Sequence, residues 1–134
     1  MNRSLHTSLP SVLPHRSFHR LVSSNGFAAV MYDVKRARLS GFREHIFKNI
    51  DFHVATRELA YDAYFGLRIG CSSGWLSESA EHTEARYLPG TGVIEAVQSF
   101  AGIQATTYLF APFDIKAPAA IMLLHLKNQS NVAL

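Results

Sequence analysis

Residues 87–128, YLPGTGVIEAVQSFAGIQATTYLFAPFDIKAPAAIMLLHLKN, decide how this chain is read. Nowhere else do apolar periodicity and turn chemistry agree over so long a stretch. A Pro89-Gly90 turn leads into a strand at 93–98, a connection containing Gly102 follows, and 103–110 runs on as a second strand. This is the pattern of an antiparallel hairpin with a loop of about 3 to 5 residues. Residues 119–127 form the third strand. Strand side chains alternate in direction, so Ile103, Ala105, Thr107 and Leu109 share one face and Gln104, Thr106, Tyr108 and Phe110 the other. Both faces carry enough apolar area to be at least half buried, which predicts a sandwich interior or a sheet covered on both sides. Residues 119–126 are also rich in Ala, Leu and Met, which favour helix, and Pro118 suits a first helical position. Length argues for strand, because a helix this short and apolar all round has no polar face to show water.

Working back towards the start, Ser23-Ser24-Asn25-Gly26 marks a turn, since Asn and Gly tolerate positive φ. Order is expected to begin near Val22. Residues 27–32 read as a strand, 33–38 as a polar connection and 39–47 as a second strand with Gly41 at a bulge. Thr56 is placed to N-cap a brief helical turn through residues 57–60. Residues 64–69 read as a strand, 71–74 as a turn, Trp75-Leu76 as a short apolar anchor and 77–86 as a polar stretch. The expected architecture is mainly β: an antiparallel β-sandwich over 23–134, preceded by a disordered basic extension over 1–22. Val132, Ala133 and Leu134 read as the opening of one more strand. The sandwich is therefore expected to be incomplete at its C-terminal edge and to self-associate through unpaired backbone.

Composition bounds the function. A chain of 134 residues has room for one domain that buries roughly two thirds of its unfolded surface. Hydrophobic residues make up 48% and charged residues 17%, against about 25% charged in a typical soluble domain, so some apolar surface is expected to meet a partner. The net charge of +3 is spread in ones and twos, with Lys35, Arg36 and Arg38 the only tight group, whereas a nucleic-acid footprint needs a clustered stripe. The single cysteine, Cys71, excludes an intrachain disulfide framework. No apolar run approaches the ~18 residues of a membrane span, and no secretory core is present; the cytoplasm is the expected location. Neither nucleic acid nor membrane is an expected partner.

Seven histidines raise the question of a metal, but only His15 and His19 share a helical spacing, and Pro10 and Pro14 break that stretch. A zinc site needs three or four preorganised ligands, so none is expected. For acid and base work the candidates are Glu58 with Asp62, which a helical turn would place on one face, and Glu95 within a strand. A free-standing enzyme using Glu58 and Asp62 is one reading. No nucleophile elbow, P-loop, dinucleotide fingerprint or zinc-protease helix occurs, so no cofactor is expected; Gly90-Thr91-Gly92 lacks the following helix a phosphate cradle uses. Trp75, Tyr87 and Phe113 offer flat faces on which a sugar ring can stack, with core packing as the competing role. A stand-alone carbohydrate-binding sandwich using Trp75 and Tyr87, with an oligosaccharide as partner, is a second reading.

A resemblance adds a third. Ser24-Asn25-Gly26 before the Tyr32-Asp33 strand end, TRELAYDAYFGLR at 56–68, LPGTGVIEAVQ at 88–98 and APFDIKAPAAIMLLHLKNQS at 111–130 resemble the first half of a known domain. It is the N-terminal supersandwich domain of large bacterial carbohydrate-processing enzymes, the glucoamylase-like and disaccharide-phosphorylase-like proteins in which a β-sandwich precedes an (α/α)6 barrel. The resemblance implies that 119–126 is a strand and that catalytic carboxylates lie on the barrel. No catalytic residue is then expected in this chain, and its partner is the catalytic barrel domain of a longer chain.

Overall fold

The computed structural model describes residues 19–44 and 57–130. They form a β-sandwich-like arrangement of antiparallel sheets. The first sheet contains β1 (Arg20–Ser24), β2 (Ala28–Asp33), β3 (Arg38–Glu44) and β4 (Glu58–Ala60), paired in that order. A small hairpin of β5 (Gly66–Ile69) and β6 (Ser72–Trp75) follows, then one turn of helix, α1 (Leu76–Ser79). The second large sheet contains β7 (His82–Tyr87), β8 (Ile94–Phe100), β9 (Ile103–Phe110) and β10 (Ile121–Asn128), with β10 and β7 at its edges.

The two large sheets meet through Leu21, Val30, Tyr32 and Leu39 from the first and Ala85, Ile94, Ala96 and Leu109 from the second. In β2 burial alternates residue by residue, as a half-buried strand requires. The first sheet covers only one end of the second. The other end of the same face is covered by the β5–β6 hairpin and α1, where Leu76 packs on Phe100 and Ala105, flanked by Phe65, Leu67, Ile69 and Leu124. Gln98, buried in mid-strand, donates from Nε2 to the Leu76 carbonyl at 2.7 Å and fixes α1 to β8. Tyr32 is 2% exposed, and its hydroxyl has no hydrogen-bond partner among the described residues.

Expected and observed strands agree closely at β9 and β2. Residues 119–126 belong to a strand: β10 pairs with β9 without a register break from Ile121↔Phe110 to Asn128↔Ile103. Backbone pairing along a ready-made partner outweighs the helical preference of Ala, Leu and Met. The expected bulge is present, with the β2–β3 register shifting between Met31 and Tyr32 opposite Gly41. A Cβ on Gly41 would lie 2.6 Å from Met31 Cε, so the glycine makes room for that side chain.

Several expectations are corrected. The β8–β9 connection is shorter than the loop expected: Phe100 pairs with Ile103, leaving only Ala101 and Gly102, both at positive φ (48° and 76°), as a type I′ turn demands. Glu58–Ala60 is a strand rather than part of a helical turn, because the edge of β3 supplies hydrogen-bond partners that a single turn lacks. Ser72–Trp75 is a strand, and the turn before it is confined to Gly70 and Cys71. The polar 77–86 stretch divides into the end of α1 and the edge strand β7. The first described strand begins at Arg20, ahead of Val22. Thr56, residues 45–47 of the second expected strand, and Val132 to Leu134 lie outside the described residues.

Candidate functional site

Trp75 and Tyr87, the two aromatic residues predicted to stack on sugar, are not brought together. Tyr87 pairs with Ile94 at one end of β8, whereas Gly74, beside Trp75, lies against Phe100 at the other end. Six strand steps separate those ends, roughly 20 Å. Their surroundings differ as much as their positions.

Tyr87 acts as a fastener. Its hydroxyl accepts a hydrogen bond from the Val22 N–H at 2.8 Å and donates to the Val22 carbonyl at 2.9 Å. Val22 stands opposite Met31 in the β1–β2 register, with its amide groups turned to the open edge of β1. One phenol thus closes part of an edge that would otherwise be free to pair with another chain. Two further fasteners join the sheets nearby. Ser23 Oγ accepts the Ala111 N–H at 3.2 Å. Asn25 Oδ1 accepts the N–H groups of Phe27 and Ala28 at 2.9 and 2.8 Å, closing the β1–β2 turn, while its Nδ2 donates to the Pro112 carbonyl at 3.0 Å and to those of Ile115 and Ala117 at 3.3 Å.

Trp75 is 53% exposed, yet it is held in place. It pairs with Gly66 across the β5–β6 hairpin, and a Cβ on Gly66 would lie 2.6 Å from Cζ3 and 2.7 Å from Cε3, so the six-membered ring of the indole lies against bare backbone. Tyr64 meets it edge to face, with centroids 5.4 Å apart at 85°. The Arg38 guanidinium sits 4.8 Å above the Tyr64 ring, ion-paired to Asp62 at 2.7 Å and Glu78 at 3.8 Å. The hydrogen bond to Asp62 raises the Arg38 pKa further, so this cation stays charged at any working pH. A hollow of about 570 Å³ runs along the hairpin, lined by Gly66, Arg68, Ser73 and Trp75 on its exposed side and by Leu67 and Gly74 on the other.

The carboxylates considered for catalysis are engaged separately. Glu58 pairs with Arg43 at 3.4 Å and Asp62 with Arg38. Glu95, 8% exposed, is held by Arg86 at 2.8 Å directly across from it on β7. The Thr91 hydroxyl and N–H both bond to the Leu88 carbonyl, and its Oγ accepts the Val93 N–H, so this loop turns inward on itself rather than offering donors to a phosphate. Phe113 extends from the β9–β10 connection and lines a second hollow of about 380 Å³ with Ser23, Gly92 and Phe110. Among the described residues no group of three or more His, Cys, Asp or Glu side chains is placed to hold a metal, and no helix is long and apolar enough to cross a membrane.

The face of the second large sheet that points away from the core is mixed, with the Arg86–Glu95 ion pair, Thr106 and His125 set among apolar side chains. Val97, Tyr108 and Ile121 are half-buried there, and Leu123 is exposed. No protein-family model, curated protein or solved structure matches this chain.

Proposed function

We propose that this chain is a noncatalytic β-sandwich unit of a carbohydrate-processing enzyme, hydrolase-like or phosphorylase-like, which packs against and orients an (α/α)6 catalytic barrel domain. The observation that carries this reading is the group of Tyr108, Ile121 and Leu123 on the outer face of β8–β10, with Val97 nearby and the Arg86–Glu95 pair at its side, which no layer covers among the described residues. Exposed apolar side chains rimmed by polar ones on an ordered sheet suit a contact surface. The separate ion pairs of Glu58, Asp62 and Glu95 support a packing role over catalysis, and the supersandwich resemblance of residues 23–134 supplies the identity of the packed partner.

The test is an assay of the purified chain on oligosaccharides, with and without inorganic phosphate, beside sedimentation velocity over a concentration series. The expected result is no turnover and a concentration-dependent self-association that Leu123→Lys relieves. A monodisperse monomer that hydrolyses or phosphorolyses a glycan would overturn the proposal.

A further inference from the structure

We infer that the exposed side of the hollow along the β5–β6 hairpin is a binding site for an acidic pyranose, with Trp75 as stacking platform and Arg68 as the group that reads the carboxylate. This site is distinct from the outer face of β8–β10, and it stands or falls without the barrel-packing reading.

An exposed indole is ordinarily free to change rotamer, but Trp75 is immobilised from below and from the side. Gly66 gives it a flat seat, and Tyr64 abuts it edge to face. Tyr64 is in turn capped by an arginine that two carboxylates hold in place. None of these contacts takes the ring out of solvent. Rigid and exposed together is the arrangement in which an aromatic contributes contact area at little ordering cost.

The hairpin register sets what stands around the platform. Gly66 faces Trp75 and Arg68 faces Ser73, so all four residues lie on one side, away from Leu67 and Ile69, which point to the core. Arg68 forms no ion pair among the described residues, in contrast to Arg38, Arg43 and Arg86. The Ser73 hydroxyl lines the same hollow. A ligand that matches these groups has a flat apolar face for the indole, an anionic edge for a fork of guanidinium donors, and a hydroxyl within reach of Ser73. A uronic-acid ring combines all three, with its axial C–H groups on the indole face and its carboxylate within a bidentate geometry. The volume falls in the ~300–1,000 Å³ range of small-molecule sites, enough for a short oligomer rather than a long groove-bound chain.

The chain has one tryptophan, so its fluorescence reports on this site alone. The probe is trigalacturonate titrated into the full chain, with maltotriose as neutral control and adenosine monophosphate as a flat ring carrying a different anion. The expected result is a saturable fluorescence change with trigalacturonate and binding at least about tenfold weaker for maltotriose. Arg68→Gln, a change at an exposed side chain that leaves the core untouched, should weaken the acidic ligand about tenfold and leave maltotriose unaffected. Gly66→Ala, which pushes the indole off its seat, should weaken the acidic ligand as well. Absence of a saturable change, an unaltered affinity in Arg68→Gln, or tighter binding of adenosine monophosphate would each overturn the assignment.

Discussion

Replacing Asn25 with alanine and, separately, with aspartate divides the two jobs this side chain performs. Its Oδ1 accepts two backbone N–H groups within the β1–β2 turn, and its Nδ2 reaches across to the carbonyls of Pro112, Ile115 and Ala117. An intramolecular hydrogen bond contributes about 1 kcal/mol net. Alanine removes both turn bonds and the shorter Nδ2 bond to Pro112; the two longer ones are solvent-accessible and count for little. The expected loss is about 3 kcal/mol. Aspartate keeps the turn acceptors but presents oxygen to the Pro112 carbonyl, so it should lose about 1 to 2 kcal/mol. For a domain of this size each kcal/mol moves Tm by roughly 3–5 °C, so alanine should melt about 10 °C below the parent and aspartate midway between them. Far-UV circular dichroism melts and urea titrations at neutral pH provide the measurement. If aspartate falls as far as alanine, the cross-sheet grip has been misjudged relative to the turn. If aspartate matches the parent, that grip contributes nothing and the reasoning about how the sheets are joined is refuted.

Other outcomes follow from single contacts. Tyr87→Phe should cost about 1 kcal/mol, because water can partly replace the hydroxyl at an exposed edge. It should also increase self-association seen by sedimentation, since Val22 regains an open backbone edge; unchanged association would count against the edge-closing role. Ala101 sits at φ 48°, a conformation that costs a residue with a Cβ roughly 1–2 kcal/mol, so Ala101→Asn beside Gly102 should raise Tm by a few degrees in calorimetry. Tyr32→Phe should stabilise the protein by about 1 kcal/mol, since it removes a buried hydroxyl with no bonding partner among the described residues. Burial, and then the Asp33 charge, push the Tyr32 hydroxyl well above its ordinary 10.0. The folded state therefore keeps a proton that the unfolded chain releases, and stability falls as pH rises above 10.0. Urea midpoints from about pH 8 to about pH 11 should decline less steeply in Tyr32→Phe than in the parent.

The strands that were legible in the sequence are those whose pairing is local and whose apolar pattern is long. β9 and β10 fall in this group, as does the Asn25-Gly26 turn, whose chemistry is written in adjacent residues. β4 and β6 escaped because each is short, and β7 because it is polar, and all three owe their existence to a neighbour's hydrogen-bonding edge. β7 did carry one signal. Arg86 and Glu95 lie at matching distances on either side of the turn at 88–93, the arrangement expected of an opposed pair in a hairpin. The two candidate aromatics looked alike in sequence, and only the third dimension separates them, since Tyr87 is spent on a backbone 65 positions away while Trp75 is held in place by Gly66 and Tyr64 nearby. The turn role of Asn25 could be read from its neighbours; its grip on a loop 87 to 92 positions later could not.

The fasteners between the sheets all join residues 22–25 to residues 87 and 111–117, which has a bearing on how the chain matures. On the ribosome the β1–β3 meander emerges early and can form its own turns, but its anchoring partners leave the exit tunnel only after most of the chain has been translated. Closing such distant contacts is entropically slow, and until then Leu21, Val30 and Leu39 are presented to the surroundings without their counterparts. Nascent chains stalled before residue 111 should accordingly be the form most readily captured by holdase chaperones and most readily cut by proteases.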